Sequence, residues 1–159
     1  MRDKRFVAVH RGGHLTKDNH HGLIRWAREC SEHVLPLIDE KIDKRLIHAL
    51  NVAKEWENGN VSTGDAMKAS LDAHAVARES SNQISIAVVA RSIGQAVATA
   101  HMADHSLGAA LYALKAVKHA GKSINEEREW QIKQLQQLPL EIVELVLTTM
   151  KKKEKGFKL

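Results

Sequence analysis

The pattern His101-x-x-Asp104-His105 is the part of this sequence best equipped for chemistry. Imidazole and carboxylate groups can bind a divalent metal or exchange protons near neutral pH. His101 and His105 lie four residues apart, so they would share one face of a continuous helix. Strong zinc patterns repeat such a pair or carry an internal glutamate, and this pattern does neither.

Three interpretations of the pattern stay open. In the first, which the residues favour, Asp104 caps a helix and the two histidines hydrogen-bond across a junction between helices. In the second, the pattern forms part of a binding surface. In the third, His101, Asp104 and His105 are the metal ligands or acid–base groups of a helical hydrolase. No cofactor is expected, although a divalent metal would fit the third interpretation.

The segment His10-Arg11-Gly12-Gly13-His14 is a second candidate. Its glycines permit conformations closed to other residues and expose backbone N–H groups, so with Arg11 it could hold an anion. The Gly-Lys-Ser/Thr ending of a phosphate loop is absent. The favoured alternative is an ordered arm that turns tightly over the domain, with Arg11 paired to a carboxylate.

His74 and Arg78 are spaced to share one helix face and could meet Asp104 across a helix pair. This contact could be a buried ion pair or part of a site. The candidate binding residues of the chain are therefore His10, Arg11, His74, Arg78, His101, Asp104 and His105.

The elements that must position these residues are predicted to be helices, because apolar residues recur at spacings of three and four. No alternating strand pattern exceeds four residues. The first helix begins near Thr16 or Asp18 and ends before Pro36, and Asn125 caps the sixth. The predicted helices after the first span about 43–60, 62–80, 82–103, 105–120, 125–137 and 139–152.

On the fourth predicted helix, a polar stripe lies opposite an apolar one that ends in His101, which places this histidine towards the interior. The polar stripe contains Ser85, Ser92, Gln95 and Thr99. The expected fold is all-α, a compact bundle of about six or seven helices with a short irregular arm over residues 1–15. Residues 1–150 form a single domain, and residues 151–159 form a basic tail.

The charge of +5 belongs mainly to the two ends of the chain. Eight of the 24 basic residues lie in 1–5 and 151–159, against two of the 19 acidic residues, so the body is close to neutral. No motif typical of nucleic-acid binding accompanies the lysines. We therefore interpret the ends as solvated tails and do not expect nucleic acid as a partner.

Cys30 is the single cysteine, which rules out an internal disulfide, and its apolar stripe favours a packed thiol. The N-terminus has no apolar segment of the signal-peptide type. The longest apolar run, residues 84–100, is interrupted by Arg91 and Gln95 and is too short and polar for a membrane span. We expect a cytoplasmic protein without a membrane partner.

Three segments resemble the type-five immunity protein family of bacterial and archaeal genomes: MRDKRFVAVHRGGHL, HGLIRWARECSEHVLPL and ATAHMADHSLGAALYALKAV. The most specific parts are residues 10–13, 32–36 and 101–105, and the resemblance covers nearly the whole chain. It implies a small all-α cytoplasmic protein, without enzymatic activity, that binds and neutralises a cognate toxin.

The resemblance supplies no binding residues and leaves a homodimer open. The basic charge disfavours a basic nuclease as the toxin, since inhibitors of such nucleases tend to be acidic. The alternative function is that of a metal- or anion-dependent enzyme built on His101, Asp104 and His105.

Overall fold

The computed structural model describes residues 2–159 and confirms the all-α prediction. Within this range the chain forms seven α-helices joined by turns and short 3-10 segments, and its only β contact is an isolated bridge between Ala8 and Leu15. No helix in the described range is long and apolar enough to cross a bilayer. The helices are α1 Lys17–Val34, α2 Lys44–Glu57, α3 Thr63–Glu79, α4 Ile84–Ala98, α5 His105–His119, α6 Ile124–Leu135 and α7 Leu140–Lys153.

Side-chain caps start three of these helices, α1, α2 and α3, where the sequence predicts their beginnings. Thr16 and Asp43 accept backbone N–H groups at the starts of α1 and α2, and Ser62 and Asp65 form a complete capping box on α3. The predicted cap at Asn125 is wrong. The hydroxyl of Ser123 accepts the N–H of Glu126 instead, so α6 begins earlier than expected.

Helix α4 is the centre of the bundle, packed between α3 and α5 and also touching α1 and α2. Its predicted polar stripe is largely inside the protein, since Ser92 and Thr99 are fully buried. The hydroxyl of Ser92 donates to the carbonyl of Ala109 and is 2.8 Å from that of Ser31. Buried hydroxyl groups whose hydrogen bonds are satisfied cost little folding free energy, so the polar stripe can form part of the core.

The fourth helix ends at Ala98, five residues before its predicted end, and residues 99–104 form a junction of turns before α5. In a continued helix the carbonyls of Thr99 and His101 would accept N–H groups four residues ahead. Other parts of the chain use them instead. Thr99 O accepts from Nε2 of His20, and His101 O accepts from Arg11.

Both ends of the chain pack against the bundle. In the N-terminal arm Phe6 and Leu15 are buried, and Gly13 lies so close to Val7 that a Cβ there would be 2.0 Å from the Val7 carbonyl oxygen. At the other end, residues 151–153 complete the last turn of α7. The 3-10 turn that follows places Phe157 against Tyr112, with ring centroids 4.9 Å apart.

Candidate functional site

The arm, the first turn of α1, the end of α2 and the α4–α5 junction surround a cavity of about 340 Å³, here called the arm cavity. An adjoining cavity of about 430 Å³ shares several of its lining residues. The residues of interest in the arm cavity are His10, Arg11, His20, Trp56, Thr63 and His101. The structure thus brings together three of the predicted site residues from two distant segments.

Arg11 joins the arm to the junction. Its Nη1 donates to the backbone carbonyl of His101 over 3.3 Å, so the predicted pairing of Arg11 with a carboxylate is wrong. The carbonyls just after a helix end lack intrahelical partners and carry partial negative charge, which explains why a guanidinium binds there. Gly12, with φ of +90°, lets the arm turn back immediately after Arg11.

His20 is the cavity residue that the sequence analysis missed. It is buried, its Nε2 lies 2.6 Å from Thr99 O, and its ring centroid is 4.8 Å from that of Trp56. A carbonyl only accepts, so Nε2 carries the proton, and burial lowers the pKa of His20. The signal was present, because His20 shares helical spacing with the buried Leu23 and Ala27.

Trp56 is half-buried and forms a wall of both cavities, whereas its apolar spacing predicts a core residue. Its Nε1 donates to Thr63 Oγ1 over 3.1 Å, which fixes the indole ring against the start of α3. The rings of His20 and His21 flank it. The cavity therefore has a rigid aromatic wall beside an exposed rim that includes His10 and Arg11.

Asp104 lies at the start of α5 but does not cap it with its side chain. Its backbone is helical, with φ of −68° and ψ of −13°, whereas a capping side chain normally extends from a β-region residue. The carboxylate instead contacts Nη1 of Arg2, at 2.6 Å from Oδ1. The predicted cap is wrong, and Asp104 ties the beginning of the arm to the junction.

His105 contacts Gln95 on α4 rather than lining the arm cavity. Its Nδ1 is 2.8 Å from Gln95 Oε1, and burial lowers the pKa of the imidazole. His105 thus hydrogen-bonds across the α4–α5 junction, as the favoured interpretation expects, whereas His101 takes part through its carbonyl oxygen. Across residues 2–159, no three His, Cys, Asp or Glu side chains are grouped so that they could hold a metal ion.

His74 meets Arg91 rather than the predicted Asp104. Nη1 of Arg91 is 2.8 Å from Nδ1 of His74. The ring lies directly over α4, where a Cβ on Gly94 would be 2.6 Å from its Nε2. Burial, together with the charges of Arg91 and Arg78, lowers the pKa of His74 to about 4. The ring is therefore neutral at physiological pH and accepts the guanidinium proton at Nδ1.

The predicted residues fall into three sets. His10, Arg11 and His101 line the arm cavity, and His74 and Arg78 lie further along α3, beside Arg91. Asp104 and His105 stand in the junction and bind Arg2 and Gln95. In the sequence Arg91 only interrupts an apolar run, because its partner His74 comes from another helix.

Residues 13–138 match a family model described as "Imm-5 like putative immunity protein". The chain belongs to this immunity protein family. The match confirms the resemblance found in the sequence, and it spans α1 to α6 and most of the arm cavity, although it begins after His10 and Arg11. No curated protein and no solved structure matches the chain.

Proposed function

We propose that this immunity-family protein binds a cognate toxin in the cytoplasm and neutralises it by protein–protein contact. The observation that carries the proposal is the family match over residues 13–138. An immunity factor of this kind acts by occupying a surface of its partner, so it needs an accessible and preformed face.

The arm cavity is the face that best suits this task. Hot spots of protein interfaces are concave, rigid and aromatic, and they receive one buried anchor side chain within a polar rim. Trp56 and His20 supply the fixed aromatic wall, and His10 and Arg11 supply an exposed rim. The volume of about 340 Å³ lies at the lower end of the range for binding pockets, so the cavity has room for an aromatic or large aliphatic side chain of the toxin.

The contacts within the junction favour binding over the hydrolase interpretation. A general base must be free to reach a proton of the substrate. Two of the three residues of that interpretation are engaged by groups of the same chain, Asp104 by Arg2 and His105 by Gln95. These hydrogen bonds hold the junction in shape, which is what a preorganised binding face requires.

Co-expression with the toxin encoded beside this gene tests the proposal. We expect the wild-type chain to restore growth and to bind the purified toxin. The double variant Arg11→Ala/His10→Ala should bind about 10-fold or more weakly, since both side chains lie on the rim. Lys133→Ala on α6 is the matched surface control and should protect fully. Growth arrest undiminished by a well-expressed wild-type chain would refute the proposal.

A further inference from the structure

The exposed side of α3 runs from the arm cavity to a cluster of cations. Thr63 lines the cavity, and the next residues on the same helix face follow at spacings of four, four, three and four. These residues are Met67, Leu71, His74 and Arg78. At 1.5 Å per residue, the stripe is about 22 Å long. It includes two exposed large apolar side chains, Met67 at 42% and Leu71 at 67%.

Helix α4 packs beside this stripe and contributes a further arginine. The hydroxyl of Ser70 donates to Gly94 O over 2.9 Å, and the ring of His74 lies over the same glycine. Arg91 precedes Gly94 by nearly one turn and is half-buried. Its contact with His74 therefore holds a guanidinium at the edge of the stripe.

The two arginines of this cluster have no salt-bridge partner among the described residues. Within residues 2–159, no carboxylate lies within 4.0 Å of the guanidinium of Arg78 or Arg91. The neutral imidazole of His74 orients Arg91 without neutralising it. Arg91 is half-buried whereas Arg78 is exposed, and a partly buried arginine is normally paired, as Arg45 is with both Asp43 and Glu79.

We propose that the face formed by Met67, Leu71, His74, Arg78 and Arg91, here called the α3–α4 face, binds an acidic segment of the toxin. A carboxylate of that segment binds the two arginines, and its apolar side chains pack on Met67 and Leu71. This inference rests on the proposed function for the identity of the partner. Charge complementarity selects the occupant, and methionine and arginine are both enriched at protein interfaces.

The geometry also predicts that lysine can replace arginine only in part at position 91. A guanidinium can donate to His74 with one nitrogen and to a carboxylate with its other N–H groups, because it presents five donors in a planar fork. A lysine would keep the charge but lose the simultaneous contact. The α3–α4 face is thus a specific carboxylate site rather than a diffuse basic surface.

The test compares toxin binding by the full chain and its variants in 50 and 300 mM salt. We expect Arg91→Ala and Arg78→Ala each to weaken binding about 10-fold, and Arg91→Lys to restore only part of the loss. Higher salt should weaken toxin binding by the wild-type chain and reduce the difference in affinity between wild type and Arg91→Ala. Lys133→Ala should bind within about 2-fold of wild type. Circular dichroism and urea midpoints establish that each variant is folded.

The two proposals fail in different ways. If the wild-type chain does not bind the toxin, the proposed function fails, and a synthetic amphipathic peptide of glutamate and leucine then tests the face by NMR titration. Chemical-shift changes that are confined to the α3–α4 face and disappear in Arg91→Ala support the inference. No shifts there at millimolar peptide, or equal shifts with inorganic phosphate, overturn it. If wild type and both alanine variants bind the toxin equally, the inference alone is refuted.

Discussion

Nη1 of Arg91 on α4 donates to Nδ1 of His74 on α3 over 2.8 Å, so the two helices meet through a cation and a neutral imidazole. The accepting Nδ1 leaves the ring proton on Nε2, which lies over Gly94. This contact depends on the close packing of α3 on α4, and Gly94 is the residue that permits it. Changes at Gly94 or His74 should therefore alter the stability of the protein, the pH dependence of that stability and the binding of the toxin.

Adding a methyl group at Gly94 should disturb the His74–Arg91 contact directly. In Gly94→Ala the Cβ would lie 2.6 Å from Nε2, so the imidazole must move and Arg91 loses its orientation. We expect a loss of about 1–3 kcal/mol in the free energy of unfolding, measured by urea denaturation. We also expect weaker toxin binding.

Gly64→Ala is the matched control, because a Cβ there meets only Ser62 Oγ at an ordinary 3.6 Å. That change on α3 should leave stability unchanged or raise it by about 1 kcal/mol at most. Equal effects of the two substitutions would contradict the close packing at Gly94.

The protein should lose stability as the pH falls below about 6.5. Burial lowers the pKa of His20, His74 and His105, and for His74 the value is about 4. The unfolded chain, with ordinary histidine pKa values near 6.5, therefore takes up protons before the folded chain does. The free energy of unfolding should rise between about pH 4 and pH 6.5 and be lower at pH 5.0 than at pH 7.5.

Urea unfolding at these two pH values measures the difference. His74→Gln should reduce it, because this variant removes one of the groups that titrates only after unfolding. His119→Gln replaces an exposed histidine and should leave this difference unchanged. A wild-type chain more stable at pH 5.0 than at pH 7.5 would show that these histidines are charged in the folded state.

The buried bond between His20 and Thr99 O should contribute to the stability of the α4–α5 junction. His20→Leu fills similar space but leaves the Thr99 carbonyl without its donor, so we expect a loss of about 1–3 kcal/mol. Thermal or urea unfolding measures the effect, and Lys17→Ala is a control at the exposed start of the same helix. A neutral result would mean that α4 continues past Ala98 once His20 is absent, which amide exchange of residues 99–104 would reveal.

The contact between Arg2 and Asp104 should be worth less than about 1 kcal/mol, since it lies near the surface. A double-mutant cycle with Arg2→Ala and Asp104→Ala separates this ion pair from a helix cap. We expect most of the small cost of Asp104→Ala to vanish when Arg2 is already alanine. A cost of about 1 kcal/mol that persists without Arg2 would instead identify Asp104 as a cap.

Most of the helical fold could be predicted because its signals are local. Thr16, Asp43 and Ser62 cap helices through N–H groups two or three residues ahead, and apolar spacing marks the helix between them. The end of α4 could not be predicted. No glycine or proline breaks residues 95–104, and the helix stops where His20 and Arg11, remote in sequence, take the carbonyls of the junction.

The candidate site also combines features that are local in the sequence with contacts that only the packing of the helices creates. The sequence identified the polar residues of the arm and the junction, but their partners come from packing. His74 was expected to face Asp104, and only the packing of α3 on α4 places it against Arg91. His20 lies in the first turn of a helix, where exposure is common, although its spacing matches the buried face of α1.

The chain has a single thiol, and it is sealed inside the bundle. Cys30 is fully buried, and burial raises its pKa, so the folded protein presents almost no thiolate to reagents. A maleimide dye should therefore attach only to a cysteine introduced on the surface, as in the variants Leu71→Cys and Val9→Cys. Without such a cysteine, the rate at which the native chain is alkylated reports how often the core opens and exposes Cys30.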